Sequence, residues 1–344
     1  MLEIDDKGIY CPQGNFYIDP WKPVDRALIT HAHGDHSRWG MKHYLAHKDS
    51  ASVMRLRLGE DISLQTVDYS EKLLINGVTV SYHPAGHITG SAQIRLEYKG
   101  EVWVASGDYK TEPEKTCVPF EPVKCHAFIT ESTFGLPIFR WQPQSEIFNE
   151  VNQWWAKNKE EGKASLLCGY SLGKAQRIIA NVNPEIGSIL LHGAVHNVTE
   201  ALRADGLQLP ATERITKETP KSKFPGSLIV APPSALNTPW MRRFKPLSTG
   251  IASGWMNLRG TRRRRAVDRG FILSDHADWE GLNWAVKETG AERILVTHGY
   301  TAAYSRYLNE QGYDAHEAQT LYTGELSEIN EAPEPDERVE NEAA

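Results

Sequence analysis

Short apolar runs that stop at polar residues set the rhythm of the first 135 positions. Phe16-Tyr17-Ile18 stops at Asp19, and Asp25-Arg26-Ala27-Leu28-Ile29-Thr30 stops at a histidine. Leu73-Leu74-Ile75 and Val78-Thr79-Val80 are separated by Asn76-Gly77, a strong short-range signal for a tight hairpin. Ala92-Gln93-Ile94-Arg95-Leu96-Glu97-Tyr98 alternates, Lys99-Gly100 turns the chain, and Val102-Trp103-Val104-Ala105 follows. Ala127-Phe128-Ile129-Thr130 ends at Glu131. Runs of this length and period predict strands. Each delivers a polar residue at its C-terminal end, where neighbouring strands share a rim.

The texture then changes. Positions 144–159 carry Ile147, Val151, Trp154 and Trp155 near helical spacing and predict a helix. Ser165-Leu166-Leu167-Cys168 predicts a strand, 174–181 a helix, and Ser188-Ile189-Leu190-Leu191 and Ser227-Leu228-Ile229-Val230 further strands. Strands alternating with helices predict a parallel α/β unit. After Trp255 the first texture resumes, with Gly270-Phe271-Ile272-Leu273, a helix over 278–289 and the run Arg293-Ile294-Leu295-Val296-Thr297. An α/β class is expected, in which a module over 140–256 interrupts a domain made of 1–139 and 257–324. An acidic tail over 325–344 is expected to be disordered.

Composition narrows the class. A hydrophobic content of 40% over 344 residues supports full cores. Cys11, Cys117, Cys125 and Cys168 show no C-x-x-C spacing and read as reduced thiols. No charged segment followed by an apolar one opens the chain, and no apolar run approaches the ~20 residues that span a bilayer. A cytoplasmic protein with no membrane partner is expected. The net charge of −6 argues at first against a polyanionic partner. Yet the tail from Glu325 carries −7, so the body is near +1, and 140–256 holds 14 Lys/Arg against 9 Asp/Glu. A basic middle beside an acidic end suits a polyanion-binding surface and a solvating tail, although simple solubility is the plainer reading of the tail.

The densest chemistry is His31-Ala32-His33-Gly34-Asp35-His36, three imidazoles and a carboxylate in six residues. Imidazole with carboxylate suits zinc, manganese or iron, and adjacent carboxylates favour a two-metal site. Three further strand ends follow in order: His87 in Ala85-Gly86-His87-Ile88-Thr89-Gly90, Asp108 in Ser106-Gly107-Asp108-Tyr109, and His298 in Val296-Thr297-His298-Gly299. Each alone is an ordinary cap or surface residue. His43, His47, His83, His192 and His196 are read as non-ligands.

These blocks, with Asp19, resemble the metallo-β-lactamase superfamily of hydrolases. The resemblance implies an αββα sandwich. It implies that His31, His33 and His87 bind one divalent ion, that Asp35, His36 and His298 bind a second, and that Asp108 bridges them. Asp19 would orient ligands from behind. Zinc is the expected metal, with manganese an alternative. Glu131-Ser132-Thr133-Phe134-Gly135 and Ser274-Asp275-His276-Ala277-Asp278 look like motifs of the β-CASP branch, the nucleic-acid-processing one, whose inserted domain the 140–256 module would be. In that branch Glu131 would hold a ligand histidine in place, and His276 would touch the scissile phosphate and serve as general acid. A cap at a strand end and a helix-entry residue are the plainer readings of the two.

A resemblance over about residues 1–325 points further, to bacterial ligase-associated DNA exonucleases. It rests on Tyr10-Cys11-Pro12, Phe16-Tyr17-Ile18-Asp19-Pro20-Trp21, Val24-Asp25-Arg26-Ala27, Glu131-Ser132-Thr133-Phe134-Gly135-Leu136-Pro137 and Cys168-Gly169-Tyr170-Ser171-Leu172-Gly173-Lys174-Ala175-Gln176-Arg177. It implies a metal-dependent exonuclease in DNA repair, beside an ATP-dependent DNA ligase and a helicase. One position cuts across it. A histidine at the third motif, His298, is typical of RNA-processing members, so a ribonuclease of the same mechanism is the alternative. A small-molecule hydrolase of the same fold would explain the metal residues but not the inserted module or His276. Strand guidance is expected from Arg259, Arg262, Arg263, Arg264, Arg265 and Arg269, whose phosphate contacts would be sequence-independent, and from Lys174 and Arg177 near a helix start. An arginine-rich edge that discourages aggregation is the plainer reading of the first group. Trp141, Trp154, Trp155, Trp240 and Trp255 are read mainly as core, with base stacking the alternative.

Overall fold

The computed structural model describes residues 1–258, 260 and 267–322. In chain order the elements are β1 (Glu3–Ile4), β2 (Ile9–Cys11), β3 (Phe16–Ile18), β4 (Arg26–Leu28), β5 (His43–His47), α1 (Ala51–Leu58), β6 (Leu64–Val67), β7 (Lys72–Ile75), β8 (Val78–Pro84), β9 (Ala92–Tyr98), β10 (Glu101–Ala105) and β11 (Ala127–Ser132). There follow α2 (Gln144–Glu160), β12 (Ala164–Cys168), α3 (Lys174–Asn181), β13 (Ile189–Leu191), α4 (Gly193–Ala204), β14 (Glu213–Arg214), β15 (Leu228–Ala231), β16 (Leu247–Ala252) and β17 (Arg269–Phe271). The chain continues through α5 (Trp279–Thr289), β18 (Arg293–Gly299), α6 (Thr301–Glu310) and β19 (Asp314–Glu317). The result is a mixed α/β fold of several sheets. Two compact units divide the described residues: Met1–Arg140 with residues 276–322, and Trp141–Asp275. Among the described residues no helix is long and apolar enough to cross a membrane.

The first unit holds two sheets, one ordered β1-β2-β3-β4-β5-β6 and one ordered β19-β18-β11-β10-β9-β8-β7. The hairpins form where the turn residues require them. Asn76 and Gly77 have φ of 49° and 85°, and Lys99 and Gly100 have 50° and 83°, the left-handed pair that a two-residue hairpin demands. Period-two alternation decides which core each side chain joins. Trp103, Ala105, Ala127 and Ile129 face a core shared with Phe16, Ile18, Leu28 and Leu45 of the other sheet. Val104 and Phe128, one residue out of phase, face Leu282 and Val286 of α5 and Leu308 of α6. Each fully buried side chain of this size contributes about 1.5–3 kcal/mol. Helix α5 starts where Asp278 accepts the Gly281 N–H at 2.9 Å and stops at Gly290 in the left-handed region.

The second unit is one sheet ordered β14-β13-β15-β12-β16-β17, parallel at every pairing. Both faces are covered, so its strands are nearly continuous apolar runs. In β15, Leu228 and Val230 pack with Ile147, Val151 and Trp155 of α2 and Ile178 of α3. Ile229 and Ala231 point the other way, to Phe224, Trp240 and Phe244. The expected return to the first domain at 257 comes later. Gly270 and Phe271 pair with Ile251 and Ala252, so β17 completes the second unit's sheet and the crossing falls between Asp275 and His276. The apolar run Gly270-Phe271-Ile272-Leu273 reads the same in either sheet, because pairing partners are not written in a single strand.

Candidate metal centre

Strand direction gathers the chemistry of the first unit. β10, β11 and β18 run parallel, and β8, antiparallel to β9 as β9 is to β10, points the same way. Their C-terminal ends therefore bring His87, Asp108, Glu131 and His298 to one rim. In the other sheet β3 and β4 are parallel and lead to Asp19 and to the 31–36 loop. Two glycines let the rim close. Gly107 has φ of 58°, and a Cβ there would stand 2.6 Å from Thr30. A Cβ on Gly299, at φ of 97°, would meet the Ser132 carbonyl oxygen at 2.2 Å.

Asp19 organises the histidine loop from behind. Its own backbone is left-handed at φ of 42°, a conformation Asp tolerates better than most residues. Oδ1 accepts the Thr30 N–H at 2.8 Å, and Oδ2 accepts the Thr30 hydroxyl and lies 2.8 Å from His36 Nδ1. The Thr30 hydroxyl has one proton. Spent on Asp19, it leaves a lone pair for His31 Nδ1–H, 3.0 Å away. Both rings are thus held by Nδ1, and both Nε2 atoms turn inward, where they are buried without a hydrogen-bond partner. Orphaned imidazole nitrogens beside carboxylates fit a metal ion, and the donor set suits zinc or manganese.

Donor atoms of His31, His33, His87 and Asp108 all lie within 4.8 Å of one another, as do those of His36, Asp108 and His298. Asp108 is common to both groups: Oδ1 is 2.9 Å from His298 Nε2, and Oδ2 is 3.5 Å from His36 Nε2 and 3.6 Å from His31 Nε2. His87 Nε2 is 3.1 Å from His33 Nδ1. Asp35 stands at the edge, its Oδ2 3.8 Å from His36 Nε2. Electrostatics matches the geometry. Burial, then the neighbouring His36, holds the His31 imidazole well below its ordinary value, so it is neutral. Burial works against charge on His36 too, but Asp108, Asp35 and Asp19 outweigh it and push that imidazole up to about 10. Burial opposes ionisation of Asp108, yet His36 and His298 hold it well below the usual carboxylate range. The carboxylates concentrate negative charge on one buried spot, the condition for binding a cation.

Beside this cluster His276 Nδ1 lies 2.8 and 3.0 Å from the two oxygens of Glu131. Glu131 Oε1 also accepts the Tyr109 N–H at 2.7 Å. Glu131 therefore holds His276. The His276 ring centroid is 4.7 Å from that of His87, which puts it against the metal residues.

The expected phosphate contacts fare differently. Lys174 and Arg177 are buried in the second unit, with Lys174 Nζ 3.7 Å and Arg177 Nη1 3.3 Å from Asp275 and Arg177 Nη1 donating to the Ser274 carbonyl at 2.7 Å. Both side chains are almost wholly buried, so neither is an exposed phosphate contact. Arg259, Arg262, Arg263, Arg264 and Arg265, like the tail, lie outside the described residues. Arg269 is exposed, 3.5 Å from Glu150. Trp155, Trp240 and Trp255 are buried. Two aromatic residues went unnoticed in the sequence. Trp39 is 76% exposed, three residues past His36. Its loop is tied down: the Arg38 carbonyl accepts the Tyr44 hydroxyl at 2.9 Å, and the Arg38 guanidinium donates to the Asp35 and Leu321 carbonyls. Tyr322 lies face to face with His36. The position of Trp39 three residues past H-x-H-x-D-H was a usable signal; nothing near Tyr322 in the sequence was.

No family model matches the chain. A probable DNA ligase of Opitutus terrae is 29% identical over 311 residues, 90% of this chain and 30% of that protein. An RNase J-like protein of Methanocaldococcus jannaschii is 25% identical over 190 residues, 48% of this chain and 45% of the relative. The chain thus spans less than half the length of either. A crystal structure of a protein of unknown function from Enterococcus faecalis V583 has a TM-score of 0.57 at 12% identity, covering 86% of this chain and 79% of that one, which shows a shared fold. The chain is similar to nucleases of the β-CASP branch of the metallo-β-lactamase superfamily.

Proposed function

We propose that this chain is a divalent-metal-dependent phosphodiesterase that degrades DNA from an end, and that its first unit is the αββα sandwich of its superfamily. The observation that carries the reading is the sharing of Asp108 between two histidine groups, with Glu131 and His276 alongside. His31, His33 and His87 would hold one ion, Asp35, His36 and His298 a second, and Asp108 would bridge. The ions, zinc or manganese by donor type, would screen the phosphate charge and lower the pKa of an attacking water.

The residues supply the rest. Asp19 and Thr30 aim the imidazoles. Glu131 fixes the proton of His276 on Nδ1 and stabilises the charged ring, so a second proton on Nε2 is available for the leaving oxygen. Trp39 offers a flat apolar face to a base, and Arg262, Arg263, Arg264 and Arg265 would guide the backbone. DNA is favoured by the similarity to a DNA ligase over 90% of the chain. Work in the cytoplasm beside an ATP-dependent ligase and a helicase belongs to the same proposal. RNA is the second reading, favoured by His298 and the RNase J-like relative. Cleavage of end-labelled strands of both kinds tests the choice. Shortening from one end supports the exonuclease, and internal cuts contradict it.

A further inference from the structure

His36 is held at one edge, by the hydrogen bond from Nδ1 to Asp19. A single such bond leaves an imidazole free to pivot about it, which would swing Nε2 away from Asp108. The ring of His31 packs against that of His36, centroids 4.2 Å apart, and Tyr322 covers its face. The tyrosine ring lies flat on His36, centroids 4.4 Å apart and planes 15° from parallel. Its edge faces His298 at 5.7 Å, and Trp21 packs edge-on at 5.7 Å. The hydroxyl donates to the Asp19 carbonyl at 3.1 Å, so one residue grips both His36 and the residue that orients it. The segment is anchored a second time through Arg38, which donates to the Leu321 carbonyl at 3.0 Å and to the Asp35 carbonyl at 3.2 Å. Beyond the tyrosine lies an open groove of about 610 Å³, lined by Trp21, His298, Glu317 and Tyr322 itself. The ring therefore forms part of the wall between that groove and the neighbourhood of His36.

We propose that Tyr322 is a positioning residue for one half of the metal centre: it fixes the plane of His36 and keeps water off its face, and so sets affinity at the Asp35–His36–His298 subsite without touching the His31–His33–His87 subsite. The inference rests on the metal reading above. Changes behind a ligand typically cost about 10–100-fold in metal affinity.

The test is titration of the metal-free protein with Zn2+ and, separately, Co2+, for wild type, Tyr322→Leu and Tyr322→Phe, with circular dichroism as a folding control. Tyr322→Leu is expected to weaken the second of two bound ions about 10–100-fold, to leave the first unchanged, and to alter the visible Co2+ spectrum. Tyr322→Phe keeps the stacked ring and loses one hydrogen bond, so the second ion weakens by no more than about tenfold. Equal weakening of both ions, or no change in the leucine variant, overturns the role of Tyr322. A wild-type protein that binds no ion overturns the metal reading instead. Arg38→Gln, which keeps the tyrosine but loosens the segment that seats its ring, is expected to give the same selective loss in smaller measure. It keeps the proposal refutable if the leucine variant does not fold.

Discussion

Glu131 holds His276 by both carboxylate oxygens, 2.8 and 3.0 Å from Nδ1, while one of them also accepts the Tyr109 N–H. The carboxylate is buried, so it cannot turn to water, and it fixes the imidazole through Nδ1, which leaves Nε2 as the nitrogen to carry the chemistry of the proposed function. If that nitrogen delivers a proton to the leaving oxygen, His276→Gln lowers kcat by about 10²–10⁴-fold with bound metal unchanged. Glu131→Gln lowers it less, because the hydrogen bond survives and only the charge is lost. Turnover measured beside metal content checks both. Loss of metal in His276→Gln would make it a ligand instead.

Metal removal is expected to cost stability as well as activity. The buried Nε2 atoms of His31 and His36 have no hydrogen-bond partner of their own. A site held at a hundredfold excess of ion over its Kd adds about 2.7 kcal/mol. Chelation should lower the thermal midpoint and stop cleavage, and zinc or manganese should restore both. An unchanged midpoint on chelation contradicts a bound metal.

The clustering of the histidines around Asp108 was legible in the chain. The H-x-H-x-D-H block and the strand-end residues His87, Asp108 and His298 were readable because strands that end at a shared rim deliver their next residues to one place. The Asn76-Gly77 and Lys99-Gly100 hairpins were readable from left-handed turn chemistry. The extent of the second unit was not, since β17 shows no local sign of which sheet accepts it. Lys174 and Arg177 misled for a similar reason. Basic residues at a helix start suggest a phosphate, and only the tertiary placement of Asp275 shows the charge already answered inside the protein. Tyr322 meets His36 across 286 positions of sequence, a contact no spacing rule reaches.

Lys174 and Arg177 are accordingly expected to matter for folding. Lys174→Met or Arg177→Met leaves Asp275 with a buried charge less fully compensated, a loss that typically costs about 3–5 kcal/mol. Denaturant unfolding should show it. The salt dependence of nucleic-acid binding by any folded variant should match wild type. A flatter salt slope would restore these residues to the phosphate-contact role.

In the proposed function Trp39 is the aromatic residue offered to a base. Its indole is 76% exposed on a loop whose backbone is pinned. Base stacking on an aromatic side chain is worth about 1–3 kcal/mol, so Trp39→Ala should raise KM for oligonucleotides about 5–150-fold, and Trp39→Phe should recover much of it. Hydrolysis of a small phosphodiester lacking a base should be untouched. An equal loss on both substrates would mean that the loop, not the ring, is at fault.

The most direct measurement is cleavage of end-labelled DNA and RNA of matched sequence by the purified protein, with Asp35→Ala as control. Stepwise shortening of DNA, abolished by the substitution, is the predicted result, and the labelled end reveals the polarity. Cleavage of RNA with DNA left intact would contradict it and make His298 the better guide to substrate. Activity retained in Asp35→Ala would contradict the metal centre itself.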